Sequence, residues 1–265
     1  MSLRPHAHAA LDLPALARVA EAAADRARAE ILPRFRQVAV ETKTDGSPVT
    51  EADRAAERAI RALLREATPG IPILGEEYGA EGASERGGPL WVVDPIDGTI
   101  GFSRGIPLFG TLLALTVDGE PVLGLIDCTA LGERTVGWAG GGVRRNGQPV
   151  RASHATDLRR AIVSHGDVFC FDRAGQRAAF ERMAREIPCF RSYTDAFGHA
   201  LVIAGAADAM VDLDLNPWDM AATRVLVREA GGACVVTPER GGKAGLVFGA
   251  PALVEQLASW LDPGA

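Results

Sequence analysis

Apolar residues along this chain recur first at helical spacing, then at strand spacing, and finally alternate between the two. From residue 12 to 36 they fall at Leu13, Leu16, Ala20, Ala24, Ala27 and Ile31 in an Ala-, Arg- and Glu-rich background, which predicts a long amphipathic helix. Residues 42–48 are polar and read as a loop. Thr50 with Asp53 three positions on reads as a helix start, because each side chain can take the other's backbone N–H. That helix runs to about Arg65, and Thr68-Pro69-Gly70 breaks it. Residues 71–75 form a short strand ending in Glu76 and Glu77; a Gly-rich loop covers 79–88, and a strand begins at Leu90. Strands follow at 111–117, 121–127 and 133–138, with a hairpin turning at Asn146-Gly147. Beyond Ser153 come a strand at 161–164, a helix at 172–187, a strand at 189–192, a helix at 197–206 and a strand at 209–213. A helix over 217–230 closes on Gly231-Gly232, and a last strand or two and a helix over 250–261 finish the chain. The order predicts one layered α/β domain over 1–265, with an N-terminal α+β lobe over 1–150 and an α/β lobe over 151–265.

Composition narrows the function class. The chain has 265 residues, 47% hydrophobic and 23% charged, ordinary for a globular protein, and a formal charge of −6. A surface that binds duplex nucleic acid normally has the opposite sign, so nucleic acid is not the expected partner. Cys128, Cys170, Cys189 and Cys234 lie scattered, which argues against a zinc site or disulfide framework and reads as four small core residues in a reducing cytoplasm. Residues 1–10 lack the apolar run of a secretory signal, and no window approaches the ~20 apolar residues of a membrane span.

The chemistry concentrates at Leu90-Trp91-Val92-Val93-Asp94-Pro95-Ile96-Asp97-Gly98-Thr99. An apolar strand runs straight into two carboxylates, and a buried unpaired charge is costly, so a cation belongs between them. Glu76-Glu77, Asp219 in the first turn of a helix, and Asp53 repeat the design. Each has an ordinary alternative. Asp53 can complete a capping box, Asp219 can complement a helix dipole, Glu76-Glu77 can be solvated, and Asp94 to Gly98 can be a turn. Were they to converge, each close like-charged pair would cost several kcal/mol (~4 at an effective dielectric of 20). Divalent ions remove that repulsion, and oxygen-only donors favour Mg²⁺, Mn²⁺ or Ca²⁺ over zinc. Pro95 keeps Asp94 extended, and the Ile96 carbonyl is a further oxygen donor. A metal-loaded acidic pocket attracts phosphate, with backbone N–H groups at Gly98-Thr99 available if a helix begins there. This is the arrangement of two-metal hydrolysis. No G-x-x-x-x-G-K-[ST] phosphate loop occurs, which disfavours a kinase.

These residues resemble the inositol monophosphatase superfamily of Mg²⁺-dependent, lithium-sensitive phosphatases. The resemblance runs through Lys43-Thr44-Asp45-Gly46-Ser47-Pro48-Val49-Thr50-Glu51-Ala52-Asp53, Gly75-Glu76-Glu77, Asp94 to Thr99, the Asn-Gly at 146–147, Pro217-Trp218-Asp219-Met220-Ala221-Ala222 and Glu229-Ala230-Gly231-Gly232. It implies an α-β-α-β-α sandwich of the inositol monophosphatase and fructose-1,6-bisphosphatase type. It assigns Glu76, Asp94, Asp97, Asp219 and the Ile96 carbonyl to two or three Mg²⁺, with Mn²⁺ an alternative and Li⁺ and Ca²⁺ inhibitory. Asp53 and Thr99 would orient and deprotonate the attacking water beside the metal ligand Glu76, with Glu77 close by. Gly98 and Thr99 would hold phosphate, and Lys43 would lie on a loop next to the substrate and the third metal. Homodimers are common in the family.

Residues 100–115, Ile100-Gly101-Phe102-Ser103-Arg104-Gly105-Ile106-Pro107-Leu108-Phe109-Gly110-Thr111-Leu112-Leu113-Ala114-Leu115, are similar to the histidinol-phosphatase branch; inositol-type members usually have Thr-Asn in place of Ile100-Gly101. A substrate with an ammonium and an imidazole calls for acids, and Asp195, Asp212 and Asp214 are placed to supply them. Asp212 stands where relatives often have Glu. The alternative for Asp212 and Asp214 is solvent-facing strand residues. His154, His165 and His199 are solitary, with His199 expected packed or next to the substrate, and Arg191 and Tyr193 are expected at the pocket mouth or on a strand edge. The expected function is hydrolysis of L-histidinol phosphate in histidine biosynthesis. The alternatives are an inositol-1-phosphate or broad sugar-phosphate phosphatase, a 3′-phosphoadenosine nucleotidase, disfavoured by the absence of a basic patch, and a protein-binding transcription accessory factor, disfavoured because every metal-ligand position is filled.

Overall fold

The computed structural model describes residues 11–43, 48–82 and 88–261. The elements in order are α1 (Leu13–Ile31), β1 (Val40–Thr42), β2 (Pro48–Thr50), α2 (Glu51–Ala67), β3 (Ile73–Gly75), β4 (Gly79–Glu81), β5 (Pro89–Asp97), α3 (Thr99–Ser103), β6 (Gly110–Val117), β7 (Glu120–Cys128), β8 (Glu133–Trp138), β9 (Gly142–Arg145) and β10 (Gln148–Pro149). There follow β11 (Ile162–His165), α4 (Val168–Arg173), α5 (Arg177–Glu186), β12 (Cys189–Arg191), α6 (Asp195–Ile203), β13 (Ala209–Leu215), α7 (Pro217–Glu229), β14 (Ala233–Val236), β15 (Ala244–Gly249) and α8 (Pro251–Ala258).

Two large sheets organise the molecule. One has eight strands in the order β10-β9-β8-β7-β6-β5-β3-β4, antiparallel except where β3 runs parallel to β5. The other has five, β12-β11-β13-β15-β14, with β11 parallel to both β12 and β13. Strand periodicity decides what covers each face. On β5 and β6, Trp91, Val93, Leu113 and Leu115 meet α1 and α2 through Ala20, Ala24, Ile60 and Leu64. Their neighbours Val92, Leu112 and Ala114 point the other way and pack on α6 and α7, which also cover Met210, Leu246 and Phe248 of the second sheet. That sheet's far face buries Val163, Val211 and Val247 against Phe171, Met183, Leu253 and Leu257 of α4, α5 and α8. The result is the expected α-β-α-β-α layering. No helix among the described residues is long and apolar enough to cross a membrane.

Four expectations need correction. The first helix stops at Ile31, because Pro33 follows and Arg36 takes a left-handed φ of 67°. Helix 172–187 is two helices, α4 and α5, separated at Gly175 with φ 70°. The loop at 42–48 is flanked by a paired ribbon, β1 with β2; Thr44, Asp45, Gly46 and Ser47 lie outside the described residues, as do residues 1–10. Of the cysteines only Cys128 is fully buried; Cys170, Cys189 and Cys234 are half-buried, and all four are unpaired thiols.

Candidate active site

A bulge sets the two central acids. Residues three apart on a regular strand point to opposite faces. Here the β5–β6 register pairs Asp94 with Leu112 but Asp97 with Gly110, so β5 carries one extra residue. The extra step returns Asp97 to the side of Asp94, and both line one cleft of about 610 Å³. Pro95 suits the bulge because it has no N–H to leave unpaired, and its carbonyl accepts from Thr111 Oγ1 at 2.8 Å. The chain then turns at Gly98, φ 91°, and enters α3. A Cβ there would stand 3.1 Å from the Leu108 carbonyl oxygen and 3.3 Å from Asp195 Oδ2, so glycine is demanded twice.

The other acids arrive anchored. Asp53 and Asp219 each occupy the third position of a helix and close a capping box. Oδ2 of Asp53 accepts from Thr50 N at 2.8 Å and Thr50 Oγ1 at 2.6 Å, while Oδ1 lies 3.2 Å from Thr99 Oγ1. Oδ2 of Asp219 accepts from Asn216 N at 2.7 Å. Oδ1 of Asp94 accepts from Ile96 N at 3.0 Å, and Thr99 Oγ1, which has one hydrogen to give, lies 3.0 Å from the Ile96 carbonyl oxygen as well as near Asp53. The cap uses Oδ2 of Asp53 and leaves Oδ1 facing Thr99. Glu76 follows β3, its N–H donating to the Val93 carbonyl. Lys43 Nζ reaches Glu76 Oε1 at 2.8 Å and Glu77 Oε1 at 2.7 Å. Lys43 is not among the cleft-lining residues.

Mutual repulsion is legible in the titration of the site. Burial, then the charges of Glu76, Asp97 and Asp219, push Asp94 well above the usual carboxylate range. Asp97 rises through burial, then Asp195, Asp219, Asp212 and Glu76. Burial lifts Asp219 to about 7 against its Asn216 bonds, and lifts Glu77 to about 7 against Lys43. Asp53 and Asp195 rise as well, mainly through burial. Burial alone would lower Lys43, but Glu76 and Glu77 outweigh it and its ammonium is held charged. This donor set fits hard divalent cations, being all oxygen and short of positive charge. The expected gathering is incomplete: among the described residues no three His, Cys, Asp or Glu side chains group as ligands of one ion.

The acidic lining continues beyond these residues, beginning beside Gly98, where Asp195 Oδ2 stands within 3.3 Å of where a Cβ would be. Asp167, Asp195, Asp212 and Asp214 line the cleft there with Gly166, His199, Arg173 and Lys243. Asp195 and Asp214 hold left-handed conformations, φ 57° and 62°. Asp214 is the neutralised member, with Arg173 Nε at 2.5 Å and Lys243 Nζ at 3.5 Å from Oδ2. Asp212 is buried and not solvent-facing. Arg191 lies on the edge strand β12 and Tyr193 just beyond it; neither lines the cleft, although Ser192 and Thr194 do. His165 is packed among Phe171, Phe180 and Phe190.

Sequence reasoning missed Asp167 and Glu57. Asp167 ends the run Ser164-His165-Gly166, the same strand-to-acid design as at Asp94, and was available as a signal. Glu57 is fully buried beneath the site, where Oε2 takes Glu77 N at 2.7 Å and Oε1 takes Arg61 Nε at 2.8 Å. A Cβ on Gly75 would lie 2.1 Å from Glu57 Oε1, so that glycine is the space Glu57 occupies.

Comparison with known proteins identifies a hydrolase of phosphate monoesters. The model of the inositol monophosphatase family matches residues 12–259, and the chain belongs to that family. It is 36% identical over 228 residues to a histidinol-phosphatase of Streptomyces coelicolor, covering 81% of this chain and 84% of that one. It is 38% identical over 185 residues to a fructose-1,6-bisphosphatase/inositol-1-monophosphatase of Thermotoga maritima, covering 69% of each. Among solved structures, the extragenic suppressor protein suhB of Bartonella henselae superposes with a TM-score of 0.83 at 28% identity, over 95% of this chain and 100% of that one.

Proposed function

We propose that the protein is a Mg²⁺-dependent phosphatase of L-histidinol phosphate, acting in histidine biosynthesis as a cytoplasmic homodimer. The observation that carries this reading is the charge of the substrate end: Asp167, Asp195 and Asp212 stand there, and the two cations present are both spent on Asp214. A leaving group with an ammonium and an imidazole suits such a wall, whereas a second phosphate would be repelled. The histidinol-phosphatase relative agrees with it.

Glu76, Asp94, Asp97, Asp219 and the Ile96 carbonyl would hold Mg²⁺, which when bound supplies charge neutralisation and an acidified water. Thr99, donating toward Asp53, turns its lone pairs outward to accept from the attacking water. Backbone N–H groups at Gly98 and Thr99 offer donors to the phosphate oxygens. Water adds to phosphorus as the ester oxygen leaves, giving an alcohol and inorganic phosphate. A second reading, a broad inositol- or sugar-phosphate phosphatase, has the Thermotoga maritima relative in its favour. Steady-state kinetics with Mg²⁺ on L-histidinol phosphate, inositol 1-phosphate and fructose 1,6-bisphosphate side by side tests both. The proposal expects the highest kcat/KM on L-histidinol phosphate; a higher value on inositol 1-phosphate overturns it.

A further inference from the structure

Three buried polar residues from three elements meet at the cleft wall: Asp212 of β13 at 5% exposure and His199 of α6 at 1%, both lining the cleft, and Thr223 of α7 at 0%, which does not. His199 Nε2 is 3.1 Å from Asp212 Oδ2, and His199 Nδ1 is 2.7 Å from Thr223 Oγ1. A buried hydroxyl hydrogen needs an acceptor, and Nδ1 is the one Thr223 meets. That assigns the ring proton to Nε2, from which it is donated to Asp212. The ring is fixed from the side by Phe248, with centroids 4.8 Å apart. On the carboxylate's other side, a Cβ on Gly166 would fall 2.0 Å from Asp212 Oδ1, so only glycine leaves that oxygen its place.

We infer that His199 and Thr223 are positioning residues that hold the Asp212 carboxylate to receive the cationic end of the substrate, an inference that rests on the phosphatase reading above. Asp212 lines the cleft while its Oδ2 is tethered to His199, which Thr223 holds in turn from outside the lining. A carboxylate held in this way keeps its orientation when substrate arrives, so no side-chain freedom is lost on binding.

The test compares L-histidinol phosphate with glycerol 2-phosphate, which has the ester but no cation, in the wild type, His199→Phe, His199→Gln and Thr223→Val. His199→Phe fills the ring's volume without the donor; it is expected to raise KM for L-histidinol phosphate about tenfold, with kcat and the KM for glycerol 2-phosphate held within about twofold. His199→Gln, which restores an N–H donor, should recover most of the loss, and Thr223→Val should show a smaller rise of the same kind. If His199→Phe does not fold, the Thr223→Val split decides alone. Equal losses on both substrates, or no loss on either, would overturn the inference while leaving the phosphatase reading intact. A wild type that hydrolyses glycerol 2-phosphate but discriminates against L-histidinol phosphate would overturn both the inference and the choice of L-histidinol phosphate as substrate, with the phosphatase activity itself standing.

Discussion

Oγ1 of Thr99 stands 3.2 Å from Oδ1 of Asp53 and 3.0 Å from the carbonyl of Ile96, which ties the first turn of α3 to the first turn of α2 and to the bulged end of β5. Neither contact stabilises a core. In the proposed mechanism they aim one hydroxyl. Thr99→Val and Asp53→Asn are each expected to lower kcat by about 10²–10⁴-fold, the range of a lost proton-transfer partner. Asn at 53 still accepts from Thr50, so the melting temperature should stay close to the wild type. Kinetics and a thermal melt on the same preparations check this; a kcat within tenfold of wild type contradicts the role.

Much of this arrangement is readable in the chain because its signals are local. Leu13 to Ile31 keep a 3.6 period, Leu112 to Leu115 alternate between two helical layers, and Asp94 to Thr99 carry their own turn chemistry. What escaped depends on three dimensions. Nothing in the letters Asp-Pro-Ile-Asp distinguishes a turn from a bulge, since the difference lies in the register of β6. The break at Gly175 follows from a left-handed φ in a stretch whose flanks both favour helix. Glu57 looks like one more charge on an amphipathic helix until the Glu76-Glu77 corner is laid over it.

That corner gives a stability prediction. Glu57 and Arg61 are 0% and 3% exposed and bonded at 2.8 Å, and Glu57 also takes the N–H of Glu77. Removing Glu57 leaves Arg61 its bonds to Glu81 and the Gly79 carbonyl but strands the buried Arg61 Nε and the Glu77 N–H without acceptors, at a cost of about 2–4 kcal/mol. Glu57→Ala should therefore lower the melting temperature by on the order of 10 °C and weaken Mg²⁺ binding, because Glu76 loses the support of its neighbour. Calorimetric melting and Mg²⁺ titration measure the two effects. A melting temperature shifted by under 2 °C, roughly the effect of an ordinary surface substitution, would show that the pair is dispensable.

Lys43 makes an opposing prediction. Its ammonium neutralises Glu76 and Glu77 by direct bonds, so it competes with a divalent ion for the same oxygens. Lys43→Met should destabilise chelator-treated protein and enlarge the melting shift that saturating Mg²⁺ produces. Ligand at ~100 times its dissociation constant contributes about 2.7 kcal/mol, so the difference is measurable in a thermal scan. A smaller Mg²⁺ shift in Lys43→Met than in wild type would mean that the lysine assists binding.

The raised carboxylates predict how chelator-treated protein responds to pH. Asp219 and Glu77 titrate near 7, with Asp94, Asp97 and Asp53 also lifted, whereas the same groups in the unfolded chain titrate near 4. Between those values the folded state holds more protons than the unfolded one, so stability falls as pH rises through the window. Each proton contributes about 1.4 kcal/mol per pH unit, and the protons belong to the cluster as a whole. Below about pH 4 the sign reverses, because Arg65 and Arg61 hold Glu81 down near 2 and that exposed pair is lost on protonation. Thermal melts of chelator-treated protein should thus peak in mild acid and decline from pH 5 to 8. Mg²⁺ should flatten or reverse the decline, since it substitutes for the protons at high pH. A melting temperature that climbs from pH 5 to 8 with chelator present would mean that these acids do not repel one another in the folded protein.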